Sequence, residues 1–392
     1  MSTPGLWGPT DILMLSWEYP PNIVGGLAIH VAGLSRALAR RGNFRVTVLT
    51  PGGHGRPHLV QEEGVRIVRL GSNPFKHLPH VQAAAEMNGA FLNLADNLVG
   101  PDTVIHAHDW MTAQAACALS VRHNLPLLAT FHSSERGRSG HLFRPPSPDL
   151  QIQTLERELF FGAWRRVAPS TAMAQEINAT YGDLATLVVP NGIDLPRPAT
   201  YSRRVPGRLL FVGRLVQEKG LWHLLHALAS LRAVRPQAHL IVVGVGPERS
   251  ALHREALRLG LETSVEFLGQ LPPDAVARQR EVAEVAVVPS VYEPFGLVAL
   301  EALAWGVPLV ASDVGGLREF AEGAAVLVPP ADSAGLAEAL LRILADARLR
   351  QDLARRGIER ARDYTWDRCA ERTEAVYRDV AMERTAALVV GG

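Results

Sequence analysis

The sequence predicts an α/β protein built from two doubly wound domains. Short apolar strands alternate with helical stretches, as a parallel sheet requires. The same alternation starts again after a proline-rich stretch that contains Asn191-Gly192. A chain of 392 residues is also long for one hydrophobic core. We therefore expect one domain over 1–194 and a second over 195–364.

Composition narrows the class of protein. Hydrophobic residues make up 47% of the chain and charged residues 20%, which is the balance of a globular protein. A formal net charge of +1 gives no reason to expect nucleic acid or broad membrane adhesion. Cys117 and Cys369 lie far apart without a CxxC pair, so the sequence indicates neither a disulfide framework nor a zinc site. We expect both to be buried free thiols.

The N-terminal residues indicate no export signal. Residues 1–10 lack a basic segment and an apolar stretch of signal-peptide length, and no apolar run is long enough for a membrane span. We therefore expect a cytoplasmic protein without a membrane span, although peripheral membrane contact stays open.

The first half predicts a parallel sheet with helices between its strands. We expect strands at 11–16, 45–50, 65–70, 103–107, 126–131 and 167–169, and helices at 26–39, 156–163 and 171–181. The polar, glycine-rich segment 52–64 is predicted to be a surface loop, as is the segment from 133 to about 148.

The second half repeats this plan. We expect strands at 208–212, 239–243, 265–268, 285–288 and 307–312, helices at 221–232 and over most of 333–362, and a final helix that opens near Trp366.

Two carboxylates flank the start of a helix after the strand at 285–288. Glu293 lies in the predicted turn, Pro294 suits a first helical turn, and Gly296 allows a ligand to approach the backbone. If all eight steps to Glu301 were helical, the axial rise would be about 12 Å, roughly the reach of a nucleotide-linked sugar. On spacing alone, an ordinary N-terminal acid and a solvated helix residue explain the pair equally well.

Other candidate residues lie where strands end. Ligands of open α/β sheets collect at the carboxyl ends of strands, which places His108 and Asp109 at a cleft, whereas His106 is expected to be a buried partner. The pair Gly25-Gly26 precedes a helix and could place amides against a diphosphate, or form a plain tight turn.

A second cluster of charge lies between the strand at 208–212 and its helix. Arg214 and Lys219 are five residues apart in this turn and supply fixed cations, unless they are plain surface charges.

Five segments together resemble one family. They are Trp17-Glu-Tyr-Pro-Pro through Gly25-Gly26-Leu27, His106-Ala-His-Asp-Trp110, Pro190-Asn-Gly-Ile-Asp194, Gly213-Arg-Leu through Glu218-Lys-Gly220, and Glu293-Pro-Phe-Gly-Leu297 followed by Glu301-Ala302. The chain resembles retaining glycosyltransferases of the GT-B fold and E-x7-E type, glycosyltransferase family 4, and its N-terminal half is similar to glycogen synthases.

The resemblance implies a fold and a set of roles. It implies two Rossmann-like domains facing a central cleft, an acceptor-side domain first and a nucleotide-sugar-binding domain second, with a helix at about 365–392 crossing back to the first. The implied catalytic residues are Glu293 and His108 at the donor sugar and Arg214 and Lys219 at the diphosphate. The implied donor-binding residues are Gly25, Gly26, Phe295, Gly296 and Leu297, with Glu301 on the ribose, and the acceptor-side candidates are His132, Glu135, Arg136, Arg138 and Arg144.

The implied activity is transfer of a hexose with retention of configuration. Glucose from ADP- or UDP-glucose and an α-glucan acceptor fit the glycogen-synthase likeness. A mannose, galactose or N-acetylglucosamine donor acting on a glycolipid, polysaccharide or small molecule is the alternative, and a nucleotide-sugar epimerase a further one. Ile23 stands where glycogen synthases usually carry lysine, which puts the donor in doubt.

No cofactor is expected beyond the nucleotide sugar itself. The sequence has no D-x-D pair and no HExxH motif, so no metal is expected. The expected partners are a nucleotide sugar and a carbohydrate acceptor, and the oligomeric state stays open.

Overall fold

The computed structural model describes residues 10–52, 55–71, 78, 80–140, 150–196 and 204–391, with side chains as far as Arg384. Arg144, one of the expected acceptor-side residues, lies outside these ranges. Within them the chain divides into two compact units. One contains 10–136, 150–192 and 366–391, and the other contains 193–365 together with 137–140.

The first unit is built on an eight-stranded sheet. Its strands are β1 (Thr10–Leu15), β2 (Phe44–Thr50), β3 (His58–Glu62), β4 (Val65–Arg69), β5 (Thr103–His108), β6 (Leu127–Thr130), β7 (Arg165–Ala168) and β8 (Thr186–Val188). Their order is β3-β4-β2-β1-β5-β6-β7-β8, with Leu13 of β1 opposite Thr47 of β2 and Ile105 of β5. Apart from the antiparallel pair β3 and β4, neighbouring strands run parallel.

Helices connect these strands. They are α1 (Gly26–Arg41), α2 (His80–Ala95), α3 (Ala113–His123), α5 (Leu150–Gly162) and α6 (Thr171–Tyr181), together with α4 (Glu135–Gly140), of which only Glu135 and Arg136 belong to this unit. One core lies between α2, α3, α5 and the sheet, and Leu13, Ile105, Leu119 and Phe160 are almost fully buried in it. This burial on both faces is why the parallel strands read as unbroken apolar runs in the sequence.

The second unit is built on a six-stranded parallel sheet. Its strands are β9 (Arg208–Val212), β10 (His239–Val243), β11 (Val265–Gly269), β12 (Val285–Val288), β13 (Leu309–Ser312) and β14 (Val326–Val328), in the order β11-β10-β9-β12-β13-β14. Numbered within the unit, this order is 3-2-1-4-5-6, the order of a Rossmann fold. The first unit has the same order if its edge strands β3 and β8 are set aside.

Helices cover both faces of the second sheet. They are α7 (Leu221–Val234), α8 (Arg249–Arg258), α9 (Pro273–Val282), α10 (Leu297–Ala304), α11 (Gly315–Ala321), α12 (Ser333–Ala345) and α13 (Ala347–Ala361). One core packs α7 and α12 on the sheet, and another packs α10 and α11 on its other face. Ile193 and Thr365, the two ends of this stretch of chain, form a β-bridge, and the Ile193 amide donates to the Tyr364 carbonyl at 3.0 Å.

The last helix, α14 (Trp366–Gly391), returns to the first unit. It packs along α1, where a Cβ on Gly33 would lie 2.1 Å from the Trp366 ring. Further along, Tyr377 is buried and its hydroxyl contacts the ring of His106. Among the described residues, no helix combines the length and apolarity that a bilayer crossing needs.

The structure corrects several expectations from the sequence. Part of the expected surface loop 52–64 is the edge strand β3, joined to β4 by a two-residue turn in which Glu63 has φ 49° and Gly64 φ 82°. Two positive φ values match the twist of a hairpin. Because β3 is mostly exposed, it lacks the apolar pattern of a core strand.

The expected loop after residue 133 is helix α4 over its described part. The carboxylate of Glu156 on α5 accepts from the Glu135 amide at 2.9 Å, which satisfies a donor that a helix start leaves open. This support comes from a distant segment, so local sequence did not reveal it. Cys369 is buried as expected, but Cys117 is only partly buried, and both thiols are free.

Candidate active site

Each unit has one point where its strand order reverses direction. In the first unit this point lies between β1 and β5, and in the second it lies between β9 and β12. Ligands of doubly wound sheets bind outside the carboxyl ends of the strands at such points. His108 is the last residue of β5, and the segments that follow the other three strands contain Gly25, Gly26, Arg214, Lys219 and Glu293.

In the second unit, Lys219 and Glu293 form an ion pair at this point. The Lys219 ammonium donates to Glu293 Oε2 at 2.7 Å, and Ser290 Oγ donates to the same oxygen at 3.1 Å. The lysine and glutamate side chains keep 20% and 13% of their exposure. A lysine ammonium has three donors, so this contact leaves donors for an anionic ligand.

Close backbone packing holds the two turns together. Gly220, which ends the Lys219 turn, has φ 67°, and a Cβ there would lie 1.9 Å from the Pro289 carbonyl oxygen. The Val291 amide donates to the Glu218 carbonyl at 2.9 Å, and the Gly316 amide donates to the Glu293 carbonyl at 3.1 Å. Glu293 is therefore positioned from both sides, by the Lys219 turn and by the start of α11.

Arg214 lies on the more open side of the same turn. Its guanidinium donates to Glu218 Oε1 at 3.1 Å, and its side chain keeps 43% of its exposure. Glu218 is buried and accepts from only one nitrogen of the Arg214 guanidinium. The remaining N–H groups of the planar guanidinium suit a bidentate contact with phosphate.

Glu301 lies on α10 and is paired with a different cation. Its Oε2 accepts from the guanidinium of Arg280, a buried residue of α9. This partner could not be predicted from the sequence, since Arg280 lies 21 residues away on another helix. A carboxylate anchored through one oxygen keeps acceptor capacity for hydroxyl groups.

The turn from Glu293 to Gly296 is not helical, contrary to the expectation for Pro294. α10 begins at Leu297, so the assumption of eight helical steps from Glu293 to Glu301 is wrong. Gly296 has φ 105°, and a Cβ there would lie 2.4 Å from a Leu317 methyl group. The glycine is thus required by backbone conformation and by packing against α11. In the described chain no side chain caps α10, which leaves its first amides for a ligand.

In the first unit, His108 and His132 follow neighbouring parallel strands. His108 ends β5, opposite Thr130 of β6, and its Nδ1 lies 3.2 Å from His132 Nε2. Asp109 joins the two strand ends, because its carboxylate accepts from the His132 amide at 2.6 Å. Asp109 has φ 60°, a strained value for a residue with a side chain. Burial raises the pKa of Asp109 to about 8, although the His132 amide acts in the opposite direction.

His30 and His106 complete a buried group of imidazoles. His106 contacts the Tyr377 hydroxyl and Thr130 Oγ1, each at 2.7 Å, so the expectation of a buried partner is met. His30 Nδ1 contacts Asn191 Oδ1 at 2.8 Å. Burial lowers the pKa of His30 to about 4 and lowers the pKa values of His106, His108 and His132 well below their usual range. These rings are therefore neutral near pH 7.

The loop after β1 places a carboxylate at the start of α1. Glu18 Oε2 accepts from the Val24 amide at 2.7 Å and from the Gly25 amide at 2.9 Å. The predicted contact between the Gly25 amide and a donor phosphate would require this carboxylate to give way. Among the described residues, no side chain caps α1 at Gly26.

The acceptor-side candidates Glu135, Arg136 and Arg138 all lie on α4. Glu135 is buried, Arg138 is partly buried, and Arg136 is exposed. Of the three, Arg136 is the most available to an anion in solution.

Several residues of these sites were not singled out as candidates from the sequence. They are His30, Asn191, Glu218, Arg280 and Ser290. Asn191 and Glu218 stood inside segments that resemble the family, so a search for buried polar partners of the motif residues could have found them.

Comparisons with known proteins place this geometry in a class. The model "Glycosyltransferase Family 4" matches residues 24–197, and "Glycosyl transferases group 1" matches 202–360. A solved sucrose-phosphate synthase from Thermosynechococcus elongatus has a TM-score of 0.84 and 28% identity, covering 95% of this chain and 99% of that one. The two Rossmann-like units thus define a glycosyltransferase of the GT-B fold, which confirms the predicted fold class.

The curated relatives agree with this class. A glycogen synthase from Mycobacterium tuberculosis is 36% identical over 398 residues, covering 93% of this chain and 94% of the relative. A D-inositol 3-phosphate glycosyltransferase from Geodermatophilus obscurus is 33% identical over 394 residues, covering 93% and 86%. The chain belongs to glycosyltransferase family 4. It is a transferase that moves a sugar from a nucleotide sugar to an acceptor.

Proposed function

We propose that the enzyme transfers glucose, with retention of configuration, from ADP- or UDP-glucose to an α-glucan or another sugar acceptor. The Lys219–Glu293 pair at the switch point of the second unit carries this proposal. It places a fixed cation and a carboxylate side by side, as a diphosphate leaving group and a neighbouring sugar hydroxyl require. We further propose that 1–194 with about 365–392 act as the acceptor-side domain and 195–364 as the donor domain.

Departure of the nucleotide diphosphate needs positive charge that is already in place. Lys219 and Arg214 supply it, and each is held by a carboxylate that orients it before the donor arrives. The first amides of α10, from Leu297 onward, add partial positive charge, and the amides of Phe295 and Gly296 lie in the turn just before them. Because these groups are preorganised, they stabilise the charge that develops on the leaving oxygen more than they stabilise the ground state.

Glu293 orients the donor sugar in this proposal and forms no covalent intermediate. Its Oε2 is held by Lys219 and Ser290, which directs the second oxygen toward a ligand. His108, kept neutral by burial, contacts the same sugar. Attack then occurs on the face that the phosphate leaves, with the departing phosphate assisting the acceptor hydroxyl. The nucleotide ribose is held by Glu301, which Arg280 positions.

A phosphorylated small molecule is a second candidate for the acceptor. Two similar proteins support it, the D-inositol 3-phosphate glycosyltransferase and the sucrose-phosphate synthase. The exposed Arg136 on α4 could contact such a phosphate. A cytoplasmic location stays a prediction of the sequence.

One screen tests the proposal. Purified protein is incubated with nucleotide sugars, and release of nucleotide diphosphate is measured with an α-glucan, with phosphorylated small acceptors and without acceptor. We expect acceptor-dependent release from ADP- or UDP-glucose and an α-linked product by proton NMR. A β-linked product, or activity with only mannose, galactose or N-acetylglucosamine donors, would contradict the glucosyl assignment. An isomerised nucleotide sugar would indicate an epimerase.

A further inference from the structure

Two buried histidines and one partly buried histidine of the first unit converge on one point. His30 lies on α1, His108 ends β5 and His132 follows β6, and one ring nitrogen of each lies within 4.8 Å of the others. Their positions in the sequence are 78 and 24 residues apart, so only the fold reveals the cluster. His30 has no part in the transferase chemistry proposed above.

Two of the three nitrogens already have the separation of metal ligands. His108 Nδ1 and His132 Nε2 lie 3.2 Å apart. A tetrahedral ion with metal–nitrogen bonds of about 2.05 Å places its ligand nitrogens about 3.3 Å apart. A single proton shared by the two rings would explain this distance as well. The third histidine, His30, therefore distinguishes a metal site from a hydrogen-bonded pair.

His30 presents a buried nitrogen without a partner. Among the described residues, His30 Nε2 has neither solvent contact nor a hydrogen-bond partner, and His108 Nε2 is in the same condition. A buried polar atom without a hydrogen-bond partner lowers the stability of the folded protein by roughly 1–3 kcal/mol, so such atoms are rare in native structures. A bound ion would give the His30 nitrogen a partner.

The outer contact of His30 is the one that a metal ligand needs. Its Nδ1 contacts Asn191 Oδ1 at 2.8 Å, and because a side-chain amide oxygen only accepts, Nδ1 carries the proton. The lone pair is then on Nε2, the buried nitrogen that has no partner among the described residues. Histidines that bind metals usually donate their second nitrogen to such a partner.

We propose that His30, His108 and His132 bind one transition-metal ion of the zinc type through one ring nitrogen each. Neutral imidazoles suit Zn²⁺, Co²⁺, Ni²⁺ and Cu²⁺, and three nitrogens without a carboxylate do not suit Mg²⁺ or Ca²⁺. The site goes beyond the proposed function, with which it shares His108, and its test needs no sugar nucleotide.

The test is a titration of chelator-treated full-length protein with Co²⁺ in the absence of sugar nucleotide. We expect one equivalent to bind with a Kd in the micromolar range or below, with the visible absorption of tetrahedral Co²⁺, and Zn²⁺ to displace it. His30→Gln should weaken binding at least 100-fold. Asn191→Ala, which removes only the outer contact, should weaken it about tenfold.

The matched control is His123→Gln. His123 is a partly exposed histidine of the same unit, 2.9 Å from Asp96, and such a pair at the surface is where an adventitious ion would bind. Binding should be unchanged in this variant. If His30→Gln does not fold by circular dichroism, His132→Gln takes its place.

Three results would overturn the proposal. They are no stoichiometric binding by the wild type, equal affinity in wild type and His30→Gln, and loss of binding in His123→Gln. The first result would leave a proton-sharing pair at His108 and His132. None of them bears on nucleotide release, so the metal site and the transferase assignment fail separately.

Discussion

Lys219 is one of only two lysines in the chain, whose other cationic side chains are arginines. A compact ammonium fits where Glu293 and Ser290 already converge, whereas a planar guanidinium would need more room. Arg214, on the exposed side of the same turn, has the geometry for a bidentate phosphate contact. Two different cations thus occupy two different environments in one short segment.

We predict that Lys219→Ala and Arg214→Ala each lower kcat/KM for sugar transfer more than tenfold. A preorganised charge at a leaving group typically contributes a few kcal/mol to the transition state. Steady-state kinetics with the donor identified by the screen measure the effect. Arg254→Ala, which removes an exposed arginine of α8, is the control and should change kcat/KM less than twofold. Near-normal kinetics in a folded Lys219→Ala protein would remove Lys219 from the site.

Replacing the two motif carboxylates should separate their roles. We expect Glu293→Gln to lower kcat strongly with little effect on binding of free nucleotide diphosphate, because the proposed role of Glu293 is a contact with the sugar alone. Glu301→Gln should weaken both donor and free nucleotide, and Arg280→Gln should resemble it, since Arg280 holds Glu301. Calorimetry and kinetics measure these changes, with the exposed Glu338→Gln as control. The reverse pattern would mean that the two roles are exchanged.

At the scale of elements, close backbone contact positions the donor residues. The Lys219 turn reaches the Glu293 turn only because Gly220 brings its backbone against Pro289. The start of α11 supports Glu293 from the other side through the Gly316 amide. A strand end, a turn and a helix start therefore act as one support for the Lys219–Glu293 pair.

Gly220→Ala should test this support. Gly260 has nearly the same backbone angle, φ 68° against 67° for Gly220, but no atom lies within 4 Å of a Cβ at Gly260. Gly260→Ala therefore reports the cost of the left-handed conformation alone, about 1–2 kcal/mol. We expect Gly220→Ala to destabilise the protein at least twice as much and also to lower kcat. Urea unfolding and kinetics measure both, and equal effects of the two substitutions would contradict the argument.

Elements with an apolar core face were predictable, and elements supported by distant polar contacts were not. β10 and β12 were predicted with the bounds observed, because both are buried apolar runs, apart from the partly buried His239 at the start of β10. β3 was missed because an edge strand has no core face, and α4 because Glu156 satisfies its first amide. The residues of the candidate site also divide into those that could be predicted from sequence motifs and those that could not. Motif residues such as Glu293 stood out, but Arg280 and His30 belong to it only through tertiary contact.

At the scale of the whole molecule, the buried imidazoles make stability depend on pH. The pKa of His30 is about 4 in the folded protein against 6.5 for an ordinary histidine. Between these values the unfolded chain binds a proton that the folded chain does not, so the free energy of unfolding falls as the pH falls. His106, His108 and His132 act in the same direction. Asp109, with its pKa raised to about 8, acts in the opposite direction. It is one group opposing four histidines, so we expect the effect of the histidines to be larger.

We therefore predict that the first unit loses stability as the pH falls from 6.5 toward about 4. His30→Gln should make this dependence shallower by about 1.4 kcal/mol per pH unit near the middle of the range, the value for one proton. Urea unfolding monitored by hydrogen exchange in α1 and β5 measures it for this unit alone. An identical slope in wild type and variant would show that His30 is not buried as a neutral ring.

The β-bridge between Ile193 and Thr365 joins the first and last residues of the continuous segment 193–365. This segment is therefore an insertion within the chain of the first unit, and its two ends lie side by side. Segments whose ends meet are the ones that tolerate excision and exchange. The inserted segment contains the proposed donor-site residues Arg214, Lys219, Glu293 and Glu301. We expect 193–365, expressed alone, to fold and to bind ADP or UDP, as circular dichroism and calorimetry would show. Donor specificity would then be carried by one continuous segment. Exchanging this segment between relatives should change the nucleotide sugar that is used and leave the acceptor unchanged.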